Sequence, residues 1–310
     1  MEKNRIYGPV PSRRLGFSLG IDLVEYKHCP LDCIYCQLKR TTRLDASRET
    51  TVEIEEVVGQ VAAKIATGAR VDHLTLGGSG EPTLYGQLGG LIDALHERFD
   101  IPVALLTNGV LFGDPAVRSE AARADVVLPS LDAWDQESFE LVNRPIAGMG
   151  FEAFMDGMIR FRQQYRGLIW LEVMLLAGIS DNPDVISRLA AQAARLKPDR
   201  IQLNTPVRPP ATDLAIPISR QTMTMLADLF KPPAEVTADF PEPAGNDPET
   251  HVTTVQVLET ITRRPCTARD VAVGLNAPEG EVSAALRILV GEGRIVLSVQ
   301  DGKDYFKLPA

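Results

Sequence analysis

Cysteine is scarce in this 310-residue sequence, which has four, and three of them fall between positions 29 and 36 while Cys266 stands alone. That distribution excludes a disulfide framework, which needs cysteines in pairs along the chain. Long apolar runs are missing too. No stretch approaches the 18 residues of a membrane-spanning helix, and the opening MEKNRIYGPVPSRR lacks the apolar core of a signal peptide. A cytoplasmic, reducing location is therefore expected. Positive charge is in deficit: 32 Lys and Arg stand against 41 Asp and Glu, for a net charge of -9. This argues against broad non-specific nucleic-acid binding, which needs clustered Lys and Arg, and leaves room only for a local basic patch.

Hydrophobic residues make up 45% of the chain, enough to bury a sizeable core. The length suggests one large domain and one small one. The large one is organised around Cys29-Pro-Leu-Asp-Cys33-Ile-Tyr-Cys36, directly after a strand-like run at 19–24. One short loop can aim three thiolates at a single point. Iron–sulfur clusters normally take four cysteines, so three leave one iron of a [4Fe–4S] cube open to another ligand. A zinc site is the competing reading, with His28 or Cys266 as fourth ligand, but no second cysteine pair follows. A ferredoxin-type site lacks its fourth cysteine as well.

Further strand-like runs lie at 72–76, 102–106, 126–131, 168–176 and 200–203, making six with 19–24. Helical patterns lie between them at 54–66, 88–98, 116–122, 151–164 and 183–196, with a last one at 220–230. Strand and helix in alternation predict an α/β fold, here a six-stranded parallel partial (β/α)6 barrel with helices outside. Chemistry in such folds sits at the C-terminal strand ends, and polar motifs do follow the strands. Gly77-Gly78-Ser79-Gly80-Glu81 offers close backbone approach and a carboxylate for an ammonium. Thr107-Asn108-Gly109 reads as a turn whose Asn can also reach a ligand. Ser130 and Asp132, two apart on one face, suit a ribose hydroxyl. Asn143-Arg144-Pro145 lies in a loop, and Asn204 to Arg208 closes the sixth strand. Glu172 interrupts an apolar strand, so it faces a cavity or an ion pair, with the cavity favoured.

Taken together over residues 5–230, the Cys-x3-Cys-x2-Cys loop and the glycine-rich motif resemble the radical S-adenosylmethionine (radical SAM) superfamily. The resemblance implies that Cys29, Cys33 and Cys36 hold a [4Fe–4S] cluster and that the carbonyls of Gly78 and Gly80 with Glu81 hold the SAM amino group. It also sets Tyr35 near adenine, with Asn108, Ser130, Asp132 and Asn204 completing the cofactor site. A 5'-deoxyadenosyl radical taking hydrogen from substrate is the implied chemistry, fed by a reductase, flavodoxin or ferredoxin. Candidates for holding substrate are Arg13, Arg14, Arg144, Glu172 and Arg208. Lys27 is placed to influence the cluster or bind substrate. The Gly8-Pro-Val-Pro-Ser-Arg-Arg-Leu-Gly16 string and the Pro-Ser-Leu-Asp and Asn-Arg-Pro elements resemble more narrowly a prokaryotic group related to wyosine-forming tRNA enzymes. Those enzymes bind a second cluster, for which this chain lacks cysteines. RNA, a peptide and a small cofactor precursor stay open as substrates.

Residues 231–250, rich in Pro and acid, read as a linker between domains 1–230 and 251–310. Helical patterns at 252–263 and 278–292, a capping box at Thr267 to Asp270 and a hairpin at 295–308 resemble a small winged helix-turn-helix domain. Its recognition helix would begin with Glu279 and Glu281, so DNA binding is not expected. The alternative to an enzyme is a redox sensor coupling the cluster to that module. A sensor has no need of Glu81, Ser130 and Asp132.

Overall fold

The computed structural model describes residues 4–12, 14–237, 252–262, 265–275, 277–300 and 303–309. Arg13, most of the expected linker and the Asp301-Gly302 turn lie outside the described residues. In chain order, the N-terminal part runs β1 (Ile6–Ser12), β2 (Gly16–Ile21), α1 (Ile54–Ile65), β3 (His73–Leu76), α2 (Leu88–Arg98), β4 (Val103–Thr107), α3 (Pro115–Ala121) and β5 (Val126–Pro129). There follow α4 (Gln136–Val142), α5 (Phe151–Gln164), β6 (Leu168–Met174), α6 (Pro183–Leu196), β7 (Arg200–Asn204), α7 (Arg220–Ala227) and β8 (Glu235–Val236).

These strands form one eight-stranded sheet in sequence order, parallel throughout except for the antiparallel β1–β2 pair. The six expected strands are β2 to β7, so the count of six is corrected to eight. The seventh is β1, which carries Pro9 and Pro11. A strand with proline survives at a sheet edge, where missing N–H groups cost no ladder bond, and its register is broken by an irregularity between Tyr7 and Val10. The eighth is β8, which pairs with β7 inside the stretch read as linker.

Helix starts follow local chemistry. Asp114, Asp135, Asn182 and Ser219 each accept a backbone N–H from the first turn of α3, α4, α6 and α7. In α6 the buried residues Ile186, Leu189, Ala190, Ala193 and Leu196 make one stripe against the sheet.

Strand alternation separates the sheet's two faces. Val103, Leu105, Val127, Ile169, Leu171 and Val173 join the main core with the helices. On the opposite face Leu15, from the β1–β2 turn, packs on Ala104, Val126 and Leu128, beside Trp170. The turn thus closes the end of the sheet where the strands begin.

The C-terminal part contains α8 (Thr254–Thr262), α9 (Ala268–Leu275), α10 (Glu279–Gly291), β9 (Val296–Gln300) and β10 (Lys303–Lys307), with β9 and β10 antiparallel. It has its own cluster of buried residues, including Val257, Ile261, Val271, Val282, Leu286 and Ile295. The expected capping box is present: Thr267 N donates to Asp270 Oδ2 and Asp270 N to Thr267 Oγ1, both at 3.0 Å. This module packs α8 and α9 on β1. It also reaches the segment after β7, where Tyr305 Oη donates to the Val207 carbonyl at 2.8 Å. It therefore touches chain next to both ends of the open sheet.

Candidate functional site

The cysteine loop follows β2 and is held by backbone bonds on both sides. Cys29 N donates to Arg43 O at 3.1 Å, and Ile34 N to Val142 O at 3.0 Å. Asp32 N lies 3.1 Å from both the Asn143 and Arg144 carbonyls. The Asn-Arg-Pro element is therefore a brace for the loop, and the left-handed φ of 47° at Arg144 helps turn its carbonyl inward. The Arg144 side chain is half-buried, and no ion pair to it appears among the described residues.

Each of the three sulfurs has its own side-chain donor. Asn108 Nδ2 is 3.4 Å from Cys29 Sγ, Asn143 Nδ2 is 3.5 Å from Cys33 Sγ, and Lys27 Nζ is 3.0 Å from Cys36 Sγ. Donors aimed at sulfur suit thiolates bound to iron. Burial pushes the Cys29 thiol up to about 12 and the Cys33 thiol well above its usual value, in each case aided by neighbouring negative groups. Metal binding at these sulfurs would release those protons. Among the described residues no three His, Cys, Asp or Glu side chains close around a single-ion position. Of the two candidates for a fourth zinc ligand, Cys266 is removed, because it is buried in the C-terminal cluster and paired through its backbone with Phe306. His28 Nε2 is engaged by Asp45 at 2.8 Å.

The glycine-rich turn after β3 lies against this loop. A Cβ on Gly80 would stand 2.3 Å from the His28 carbonyl, and one on Gly78 would stand 2.8 Å from Asp22 Cγ. Only glycine permits both approaches. Asp22 accepts from Ser79 N at 3.1 Å and Ser79 Oγ at 2.5 Å, fixing the turn. Glu81 is buried. Its Oε1 accepts from Thr83 N, Thr83 Oγ1 and Thr107 Oγ1, and its Oε2 from Asn108 N at 2.8 Å. Burial pushes its carboxyl up while those bonds oppose the shift. Oε1 thus takes three donors and Oε2 only one, so the remaining lone pair is on Oε2.

Asp132 is a second hub. It accepts from Tyr35 Oη, from Asn143 Nδ2 at 3.1 Å and from Met174 N at 2.9 Å. Burial pushes its carboxyl up to about 6, against those hydrogen bonds. Burial and then the Asp132 charge hold the Tyr35 phenol well above its usual value. Ser130 is bridged to Glu172 through backbone. Glu172 pairs with Arg14 and accepts from Asn204 Nδ2 at 3.1 Å. The ion-pair alternative for Glu172 is thus the one found, and Arg14 reaches it from the β1–β2 turn. Arg208 is elsewhere. It is buried, with Nη1 3.3 Å from Gln37 Oε1 and Nη2 3.9 Å from Asp270 Oδ1 of α9, so it ties the cysteine loop to the C-terminal module.

The structure therefore joins Cys29, Cys33, Cys36, Asn108, Glu81, Tyr35 and Asp132 in one network, and groups Arg14, Glu172 and Asn204 beside it. The sequence reading placed Lys27 near the cluster or substrate without choosing between them, and did not assign Asn143 as a sulfur donor, since that contact spans 110 residues and leaves no local pattern. It also missed Tyr7, whose Oη donates to the Gly77 carbonyl at 3.0 Å. Tyr7, Gln37, Lys64 and Gly78 face Gln256 and Thr260 of α8 across a cleft with about 70 Å³ of free space. That is room for a few waters.

A cysteine loop with a donor on each sulfur, at the C-terminal ends of parallel strands, describes an iron–sulfur enzyme of the α/β class. The chain belongs to the radical SAM superfamily, whose defining pattern matches residues 25–190. Within it the similarity runs to UPF0026 proteins. That of Methanocaldococcus jannaschii is 34% identical over 226 residues, covering 72% of this chain and 70% of that protein. A Brachyspira hyodysenteriae protein named GTPase Obg is 33% identical over 97% of this chain, which spans only 45% of that relative. Similarity to an Arabidopsis thaliana S-adenosyl-L-methionine-dependent tRNA 4-demethylwyosine synthase is distant, 24% over 52% of this chain and 24% of that one. The fold matches a radical SAM methyltransferase from Sphaerobacter thermophilus with a TM-score of 0.55 at 18% identity, over 71% of this chain and 66% of that one. Membership makes the chain an enzyme of this class, with a [4Fe–4S] cluster and SAM as cofactors. No helix among the described residues is long and apolar enough to cross a membrane.

Proposed function

We propose that Cys29, Cys33 and Cys36 hold the cluster, that Glu81 and Asp132 orient SAM, and that substrate enters through the cleft beside Gly78. The observation that carries this reading is the separate N–H donor on each of the three sulfurs, two of the donors belonging to residues that also contact the hubs, Asn108 reaching Glu81 through its backbone N–H and Asn143 reaching Asp132 through its side chain. When bound, the cluster and SAM supply a 5'-deoxyadenosyl radical that takes hydrogen from substrate. The protein's own part is orientation and exclusion of water. Glu81 keeps one Oε2 site for the SAM ammonium, while Tyr35 and Asn143 fix Asp132 for a ribose hydroxyl. Glu172 and Arg14, paired with each other, and Asn204 form the polar floor beside it. Electrons come from a small donor such as a flavodoxin or ferredoxin. Anaerobic reconstitution should give about four irons per chain. Any of the three Cys→Ala changes should abolish the cluster, and Cys266→Ala should keep it. Stoichiometric zinc without sulfide would overturn the assignment.

The cleft supports a small substrate over RNA or a peptide. Its free space is slight, and Lys64 is the one cation among the described residues that line it. Deoxyadenosine release under dithionite should rise with a low-molecular-mass cell fraction. A rise with total tRNA instead would favour the wyosine-type reading. The C-terminal module we read as a winged helix serving the cleft. Its third helix begins with Glu279 and Glu281, and Glu281 accepts Val252 N at 3.1 Å. Binding of the full chain to random duplex at low salt should be micromolar or weaker. Submicromolar affinity with a steep salt slope would reassign the module to DNA.

A further inference from the structure

We propose that Lys27 is a positioning residue that sets the reduction potential of the cluster by donating to Cys36. The inference rests on the cysteine assignment above.

Lys27 is 3% exposed, and a lysine is rarely buried without a partner. Its side-chain partner among the described residues is Cys36 Sγ at 3.0 Å. Its backbone is built for this one contact. Lys27 takes a positive φ of 56°, uncommon for a residue other than glycine. That conformation is pinned by Lys27 N donating to the Ser79 carbonyl at 2.6 Å and by Arg43 N donating to the Lys27 carbonyl at 3.2 Å. The same Ser79 is fixed by Asp22, so the ammonium is referenced to the glycine-rich turn.

The other two sulfurs receive neutral amides at longer distances, 3.4 and 3.5 Å. Among the described residues, Cys36 therefore has the only cationic side-chain donor on the three sulfurs. One-electron reduction adds a negative charge to the cluster. Net charge and hydrogen bonds to the sulfurs are the levers that set such potentials, and a cation in a buried site acts more strongly than in water. Lys27 thus favours the reduced cluster and eases electron entry.

The test is a potentiometric titration, followed by electron paramagnetic resonance, of the anaerobically reconstituted full chain without SAM. Lys27→Met keeps the length of the side chain and removes both charge and donor. Its midpoint should fall by about 59 mV or more, the one-electron equivalent of a tenfold change in the reduction equilibrium, with about four irons retained. Lys27→Arg should stay close to wild type. An unmoved midpoint in Lys27→Met with its irons intact overturns this inference alone, whereas wild type without a cluster overturns the cysteine assignment and this inference with it. A second measurement needs no variant. In wild-type protein carrying ¹⁵N-lysine, the reduced cluster should show a coupled lysine nitrogen in pulsed spectra, and the absence of that coupling would overturn the proposal even if Lys27→Met lost its cluster.

Discussion

At the scale of single residues, the buried carboxylate of Asp132 makes the sharpest statement about pH. Its carboxyl is pushed up to about 6 from an ordinary 3.8, with burial the largest cause. The folded chain therefore holds this proton more tightly than the unfolded chain does. The group's contribution is fully present below pH 4 and is lost as pH rises through about 6. Over that window it removes roughly 3 kcal/mol at most, taking 1.36 kcal/mol per unit. In Asp132→Asn the fall in urea midpoint of the iron-free chain between pH 4 and 6.5 should flatten. An unchanged slope would place the effect in other carboxyls. The residue itself was readable from the sequence, two positions past Ser130 at a strand end. Its partners were not, because Met174 and Tyr35 lie 42 and 97 residues away.

Among the elements, Glu81 joins the turn after β3 to the turn after β4. It takes Thr83 from its own turn and Thr107 and Asn108 from the other. Asn108 in turn donates to Cys29, so one carboxylate positions the glycine-rich turn and one cysteine partner together. Glu81→Gln puts an amide where donors converge and leaves one or more of them without an acceptor. A charge-assisted hydrogen bond is worth about 1.5 to 3 kcal/mol, so SAM affinity should fall on the order of tenfold or more in equilibrium binding. The global unfolding midpoint should fall as well, since the two turns lose their joint. Reduced affinity without any loss of stability would show that Glu81 serves the ligand alone. The element bounds themselves were well marked by apolar spacing, as in α5 at 151–164 and in α6 at 183–196, whose start is also capped by Asn182. The exceptions were β1 and β8, where prolines and short acidic sequence look like coil until a neighbouring strand supplies the ladder, and the seven-residue α4, which the sequence reading did not mark.

For the whole molecule, the arrangement of the C-terminal module is the main result. It packs on β1 at one edge of the sheet and reaches the segment after β7 near the other, through Tyr305 to Val207 and Arg208 to Asp270. Tyr305→Phe removes one hydrogen bond and should loosen this attachment by about 1 kcal/mol. Limited proteolysis should then cut between residues 237 and 252 faster than in wild type, while the iron content stays the same. Equal cutting rates would show that α8 and α9 on β1 carry the attachment. The position of Arg208 also changes its meaning. The sequence placed it at a strand end beside a substrate, and the structure uses it to fasten two parts of the chain.

The sequence alone determined the alternation of strands and helices, the cysteine loop and the glycine-rich turn. These are local, written in spacings of two, three and four residues and in glycine positions where a Cβ would collide with backbone. Only the tertiary structure decided which donor serves which sulfur, that Glu172 pairs with Arg14, and that α8 forms one wall of the cleft beside Gly78. Those facts depend on groups brought together across tens to hundreds of residues. No periodicity encodes them, because each contact is selected by the packing of whole elements and by the cost of leaving a buried polar group unpaired.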